Sequence, residues 1–435
     1  MQSKESISRR EFLSRSAKAV AGVGVSMFVS QSAFGANEKV HVGLVGVGIR
    51  GSYLLRHLLN MDDVQVVAIA DIYEGWLQRG VEMTKRKNPN VKGYDHYRKL
   101  IADKDVQAVV IATPEHTHAR MFIDAANAGK DVFVEKPMCH TLEEAQAMVE
   151  AARRNNIVSQ VGTQRRSCDV YMKAREIVQS GQIGQITLVR AFWYRNSRDD
   201  RPQWRYPIPE GASEKNIKWH EFLMGAPYRP FDLHRYFQWR CYWDYSRGIA
   251  TDLMVHQVDA VNMIMGSKFP KAAVGMGSIV RFHEFGRETP DVWNCIMEFP
   301  EGFYLNYSST FSNEHYGYGE QFLGQSGTIE FVGDNMFRLY PERAGMKKVP
   351  EMEVRSEDPY PAPRMHLQNF IDCVRTRKRT NCPVDEGQYA ITAALMAVKA
   401  FNEKRTVFWE DIAGARKLKE VFHGEHKGYG GRWAE

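Results

Sequence analysis

From Val40 onward the chain alternates short β-branched apolar runs with stretches of helical periodicity. Val40 to Val45, Val64 to Ala70, Gln107 to Ala112, Val132 to Val134 and Val158 to Val161 read as buried strands, because each is a nearly continuous apolar run. Between them, apolar positions recur three and four apart over Tyr53 to Leu59, Gly75 to Lys85, His118 to Ala128 and Leu142 to Arg154, the spacing of helices packed by one face. Strict alternation of the two predicts right-handed βαβ units and a parallel sheet covered on both sides. Beyond about residue 161 the pattern changes. A helix over Val170 to Ser180 leads into a strand over Ile186 to Tyr194, a long irregular segment, and a helix over Ile249 to Met265. Strand-like runs follow at Ala273 to Arg281, Val292 to Phe299, Phe303 to Thr310 and Thr328 to Val332, and helical patterns return at Met365 to Thr376 and Gln388 to Asn402. Clustered strands predict an antiparallel or mixed sheet in a second, α+β domain. The expected division is a leader over 1–36, a first domain over 37–161 and a second over 162–435.

The chain of 435 residues is 43% hydrophobic and 25% charged, a globular composition with room for two domains. Its formal charge of +6 invites an anionic partner, but the excess is unevenly placed. Residues 1–36 carry Lys4, Arg9, Arg10, Arg15 and Lys18 against Glu5 and Glu11, half of the total. This stretch is polar and basic, then modestly apolar around Ala19 to Val25, then small-residue rich near Ala33 and Ala36, and it resembles a twin-arginine export leader. Export, to the periplasm or beyond, is the expectation. The remainder is close to neutral, which disfavours nucleic acid, and no later run reaches the roughly 18 apolar residues of a membrane span. Cys139, Cys168, Cys241, Cys295, Cys373 and Cys382 show no CxxC pairs or metal-ligand spacing. They read as buried small hydrophobes, with Cys373 and Cys382 the one close pair, and no metal is expected.

The first strand runs into Gly46-x-Gly48-x-x-Gly51, and Asp71 ends the second strand. Strand before, helix after and acid beyond is the context in which a glycine triplet holds a dinucleotide. Gly46 permits the turn, Gly48 admits the pyrophosphate and Gly51 lets helix and strand pack, while the helix N-terminus, with Ile49 and Arg50, offers N–H groups to the anion. Asp71 would accept from ribose hydroxyls and repel a 2′-phosphate, so NAD is favoured over NADP. Downstream, Thr113-Pro114 with His118, and Glu135-Lys136-Pro137, close the third and fourth strands at the carboxyl edge where ligands bind.

Taken in order, the glycine motif, Asp71, Thr113-Pro114 with His118, Ala128-Gly129-Lys130, Glu135-Lys136-Pro137, Gly162-Thr163-Gln164-Arg165-Arg166 and Asp252-x-x-x-His256-x-x-Asp259 resemble the motifs of the Gfo/Idh/MocA oxidoreductases. The resemblance implies an N-terminal Rossmann domain and a C-terminal α+β domain with a large open, mainly antiparallel sheet, often used for oligomerisation into dimers or tetramers. It also implies cofactor contacts from Thr113, Pro114, His118, Glu135, Lys136 and Gln164. Lys136 would meet the reacting hydroxyl and the nicotinamide, Asp252 would bind substrate hydroxyls, and His256 would be the acid/base. Independently, Asp252 and His256 at i, i+4 share a helix face, and a histidine near neutrality suits proton abstraction from an alcohol. One departure is that only Gly248 survives of the family's glycine run, with Arg247 beside it placing a cation near the pocket mouth.

Between Phe192 and Tyr245, fifteen of 54 residues are aromatic, against 11% overall. Trp204, Trp219, Tyr236, Trp239, Tyr242 and Trp243 are interleaved with arginines including Arg235 and Arg240. Aromatic faces beside charged donors suit a carbohydrate, with Trp204, Tyr236 and Arg166 as substrate contacts; packed Arg-aromatic contacts, at a subunit interface or within the fold, are the plainer reading. The reaction classes expected are hydride transfer from a secondary hydroxyl of a sugar, glycoside or polyol, or glycoside cleavage through transient oxidation and elimination. A non-catalytic sugar or nucleotide sensor is the third. An exported enzyme would hold its cofactor tightly and regenerate it within the cycle.

Overall fold

The computed structural model describes residues 38–283, 286–344, 348–357 and 361–413. The leader over 1–36 and the glycine-rich tail near 423–431 lie outside the described residues. Six parallel strands form the first sheet: β1 (Val40–Val45), β2 (Val64–Ala70), β3 (Lys92–Tyr94), β4 (Ala108–Ile111), β5 (Asp131–Val134) and β6 (Ser159–Val161). Their order is β3-β2-β1-β4-β5-β6, so the chain reverses direction across the sheet between β1 and β4. That reversal opens a crevice at the strands' carboxyl ends. Helices α1 (Ile49–Leu58), α2 (Glu74–Lys85), α3 (Tyr97–Ala102), α4 (Glu115–Asn127) and α5 (Leu142–Asn155) complete the crossovers. Thr141 and Glu144 close a capping box on α5, each side chain bonded to the other's backbone N–H. Valines 42, 109 and 132 and Phe122 are fully buried between the layers, each side chain contributing about 1.5–3 kcal/mol by leaving water.

After α6 (Asp169–Gln179), the second sheet has nine strands: β7 (Ile186–Asn196), β8 (Ala272–Ser278), β9 (Val292–Phe299), β10 (Phe303–Thr310), β11 (Ser312–Gly324), β12 (Gly327–Phe331), β13 (Met336–Pro341), β14 (Met352–Arg355) and β15 (Val407–Phe408). Their order is β14-β13-β12-β11-β7-β10-β9-β8-β15. Only β7 and β10 pair in parallel, with Tyr304 opposite Leu188, so the sheet is mainly antiparallel, as expected. The short helices α7 (Trp219–Leu223) and α8 (Leu233–Phe237) lie in the irregular segment, and α9 (Val255–Met265), α10 (Pro361–Thr376) and α11 (Val384–Glu403) follow.

One expectation changes. The helix over Ile249 to Met265 is not uniform: Ala250–Met254 is a π-helical turn and α9 begins at Val255. Asp252 therefore sits on a widened turn of the kind that recurs at functional sites. Beyond residue 161 the chain also returns to the first sheet. Val161 N–H donates to Cys382 O at 2.8 Å, Thr380 Oγ1 donates to Ser159 O at 2.6 Å, and Gln160 Nε2 donates to His366 O at 2.6 Å. This return covers the free edge of β6, which would otherwise expose unpaired backbone groups. The described residues accordingly belong to one compact unit. All six cysteines are buried free thiols.

Candidate active site

The glycine turn after β1 builds one end of the site. Gly46 has φ of +86°, a conformation open to glycine and strained for other residues. A Cβ on Gly51 would lie 1.9 Å from Gly46 O, so α1 can start only if that position has no side chain. The N-terminus of α1 carries no side-chain cap, leaving its first N–H groups for an anion. Asp71 Oδ2 accepts from Val47 N–H at 2.7 Å and Oδ1 from Tyr73 N–H at 2.9 Å, so the turn and the acid hold each other in place. Burial pushes the Asp71 carboxyl up to about 6 against these bonds and the nearby Arg79.

One continuous cleft runs from this turn to the second domain. Its cavity volume is about 290 Å³, at the lower end of the ~300–1,000 Å³ of small-ligand sites. At the near end it is lined by Gly46, Gly48, Ile49, Arg50 and Asp71; Thr113, Pro114, Glu135 and Gln164 line its middle wall. Arg50 Nε and Glu135 Oε1 form an ion pair at 2.6 Å. Gln164 Oε1 is buried with no partner among the described residues, an acceptor left for a ligand donor. A glycine cradle that a Cβ would fill, an uncapped helix end, a carboxylate beside them and this orphaned acceptor together fit a dinucleotide.

At the far end the cleft meets Lys136, Asp252 and His256. Lys136 Nζ donates to Asp252 O at 2.5 Å and to Asp252 Oδ1 at 3.0 Å, and Arg240 Nε donates to the same oxygen at 2.8 Å. Burial alone would raise the Asp252 carboxyl, but the Arg240 and Lys136 cations hold it well below the usual carboxylate range. Burial lowers Lys136 against the pull of Asp252. His256 is driven well below its ordinary value by burial, then by Lys136 and Arg165. Its imidazole lies 5.5 Å from the Trp193 ring, and no hydrogen bond ties it to another described residue. A neutral, unengaged imidazole therefore faces a cleft that also presents an ammonium.

Several expected site residues lie elsewhere. His118 does not line the cleft; its ring nitrogens sit 2.7 Å from Pro137 O and 2.8 Å from Thr113 O, so it ties the Thr113 and Lys136 loops together from behind. Gly51 likewise acts by packing. Arg166 is buried and spanned by Asp259, at 2.9 Å to both carboxylate oxygens, and by Glu386; its fork and the Asp259 carboxylate are committed to each other inside the protein. Arg247 is also outside the lining, its backbone N–H donating to Glu115 Oε1 at 2.5 Å and its Nη1 to Trp243 O at 3.2 Å. Trp204 and Tyr236 do line the cleft, but Tyr236 stacks obliquely on Trp76 at 6.1 Å and feels the charge of Asp71, which puts it at the near end. Part of the aromatic segment is packing: Trp219 and Tyr242 are buried away from the lining, whereas the buried Phe222 and Phe237 also border the cleft. The segment is fastened across the loop after β2, with Glu74 N–H donating to Asn216 O and Lys218 N–H to Ile72 O, each at 3.0 Å.

Trp193, Arg195, Trp239 and Arg240 are among the cleft residues that escaped the sequence reading as site residues. Arg240 stood in the aromatic segment, but its 4.1 Å stack on Trp239 and its bond to Asp252 were not legible. Glu115, behind Asp252, was also missed. Its Oε1 accepts from Arg247 N–H and from Thr251 Oγ1 at 3.2 Å, its Oε2 has no partner among the described residues, and burial, then Asp252, push its carboxyl up to about 7. The nearby His140 Nε2, 3.8 Å from Oε1, is also unpartnered. Among the described residues no group of three or more His, Cys, Asp or Glu could hold a metal ion, and no helix is long and apolar enough to cross a membrane.

The strand order, the glycine turn and the acid after β2 define a NAD-binding Rossmann fold joined to an α/β partner. The chain belongs to the Gfo/Idh/MocA oxidoreductase family: residues 40–163 match the oxidoreductase-family NAD-binding Rossmann fold and residues 225–408 its C-terminal alpha/beta domain. Inositol 2-dehydrogenase of Salmonella typhimurium strain LT2 is 36% identical over 167 residues, 38% of this chain and 48% of that protein, so the match spans about half the length of that relative. Myo-inositol 2-dehydrogenase of Thermotoga maritima is 26% identical over 382 residues, 86% of this chain and 100% of that protein. Among solved structures, levoglucosan dehydrogenase in complex with NADH and levoglucosan shares the fold at a TM-score of 0.68 and 18% identity, covering 85% of this chain and 99% of that one.

Proposed function

We propose that the protein is an NAD-dependent oxidoreductase acting on a secondary hydroxyl of a sugar or polyol. The observation that carries this reading is the convergence of Lys136, Asp252 and His256 at one end of a cleft whose other end is the dinucleotide cradle. When bound, NAD supplies the hydride acceptor. The chain's own residues do the rest. Lys136 has three N–H donors, two of them spent on Asp252, and the third is directed to the substrate hydroxyl oxygen, where an ammonium stabilises developing negative charge. Asp252 fixes that ammonium and keeps it charged in spite of its burial. His256, neutral and unengaged, takes the hydroxyl proton at its imidazole nitrogen. The relatives named as inositol dehydrogenases support a cyclic polyol or sugar as substrate.

Residues 1–36 are read as a twin-arginine leader that exports the folded protein to the periplasm, and the aromatic segment fastened over the near end of the cleft would help retain the cofactor there. A homodimer or tetramer would use the outer face of the nine-stranded sheet, where Met276, Ile296 and Tyr304 are 74%, 47% and 48% exposed. The primary test incubates purified protein and NAD with sugars, inositols and aryl glycosides. Net absorbance at 340 nm, lost in Lys136→Ala and His256→Ala variants that still fold, is the expected result. Aglycone release without net NADH would replace this reading with the internal-redox glycosidase. Turnover surviving both substitutions would remove the assignment of the site.

A further inference from the structure

The charges lining the cleft do not cancel evenly along it. At the near end Arg50 is paired with Glu135, Glu221 lies 2.8 Å from His96, and Asp71 is satisfied by backbone N–H groups. At the far end Lys136 and Arg240 share a single carboxylate, Asp252. Arg195 lines the same end, and its side chain forms no ion pair or hydrogen bond among the described residues. Three cations thus face one anion where the substrate would sit, beside an uncharged His256.

Arg195 is partly buried. It follows Trp193 by two positions on β7, pairs across the sheet with Asn313, and carries its guanidinium 5.3 Å over the Trp193 ring, the ring that neighbours His256. A guanidinium laid on an aromatic face keeps its planar fork oriented. The Asp252 carboxyl also feels Arg195 after Arg240 and Lys136, which places the three cations around one space. Arg240, stacked on Trp239, commits only its Nε, to Asp252. Desolvated cations without counter-ions are costly, and a planar guanidinium fork is the group best matched to a carboxylate.

We propose that the substrate is a sugar acid whose carboxylate is held by Arg195 and the uncommitted edge of Arg240, while its secondary hydroxyl meets Lys136 and His256. Trp193 and Trp239 then supply the aromatic surface for the ring's C–H face. This rests on the oxidoreductase reading above, and the test separates the two.

Protein loaded with NAD is titrated by calorimetry with D-glucuronate and D-galacturonate against D-glucose and D-galactose, at low and high salt, and NAD affinity is measured alongside. One charge-assisted contact corresponds to a preference for the acid of about tenfold or more at low salt, narrowing as salt rises. In Arg195→Gln the acid-to-neutral ratio should collapse towards one, whereas Arg195→Lys, which keeps the charge, should retain part of it. Neutral sugars binding as well as their acids, neither class binding, or a ratio unmoved in Arg195→Gln would each overturn the proposal. So would a loss of NAD affinity in Arg195→Gln, since the arginine would then serve the dinucleotide. Failure of the wild-type protein to bind NAD would instead bring down the oxidoreductase reading itself.

Discussion

Replacing Glu115 by glutamine should stabilise the protein in alkaline but not in acidic solution. Glu115 is 1% exposed and sits near the negatively charged Asp252, with one carboxyl oxygen engaged and the other unpartnered. Its carboxyl rises from 4.5 to about 7 on folding, so the folded chain binds that proton more tightly than the unfolded chain does. Between those two values the folded state holds the extra proton and stability falls as pH rises; above about 7 the loss is complete. At about 1.4 kcal/mol for each pH unit, the bound is roughly 3 kcal/mol. Glutamine keeps an acceptor for Arg247 N–H and Thr251 Oγ1 but cannot ionise. Urea unfolding of wild type and Glu115→Gln at pH 4, 7 and 8.5 should show near-equal stability at pH 4 and a widening advantage for the variant above it. An advantage that is constant with pH, or that shrinks as pH rises, would refute a buried, reluctant acid at this position.

Gly51→Ala should lower NAD affinity by about tenfold or more, because a methyl 1.9 Å from Gly46 O forces the turn and helix apart at an overpacking cost of about 1–3 kcal/mol; equilibrium dialysis reads it. If His256 is the base, burial and the neighbouring cations hold its pKa well below the ordinary 6.5, so kcat/KM should show no acid limb near 6.5, and a limb there would contradict the assignment. Arg166→Met leaves Asp259 buried without its partner and should destabilise by about 3–5 kcal/mol in thermal or urea unfolding. The same variant should leave the substrate KM unchanged, whereas a substrate contact would raise it.

The first domain was legible because burial on both faces of a parallel sheet writes continuous apolar runs: β1 and β2 have the bounds read from the sequence, and β9 and β10 in the second sheet do as well. β11 was not foreseen. Its residues Ser312 to Gly319 are polar, aromatic or glycine, half exposed along the strand, so no alternation marks them and only pairing with β7 makes them a strand. The onset of α1 was placed at Tyr53 instead of Ile49 for a related reason: the glycines that break a helical pattern in sequence are here the turn that starts the helix.

What the sequence by itself determined was local chemistry: a glycine turn with its acid, the Glu135-Lys136 pair at a strand end, and a histidine four residues beyond an aspartate. Tertiary structure decided which of these meet. It brought Lys136 across 116 residues of chain to Asp252 and added Arg240 and Arg195 to the same space. It also withdrew Arg166 and Asp259 into a buried pair with each other. The physical reason is that a buried charge must find an opposite charge or a ligand. Which partner it finds depends on the packing of two sheets, and the spacing of residues along one strand or helix does not encode that.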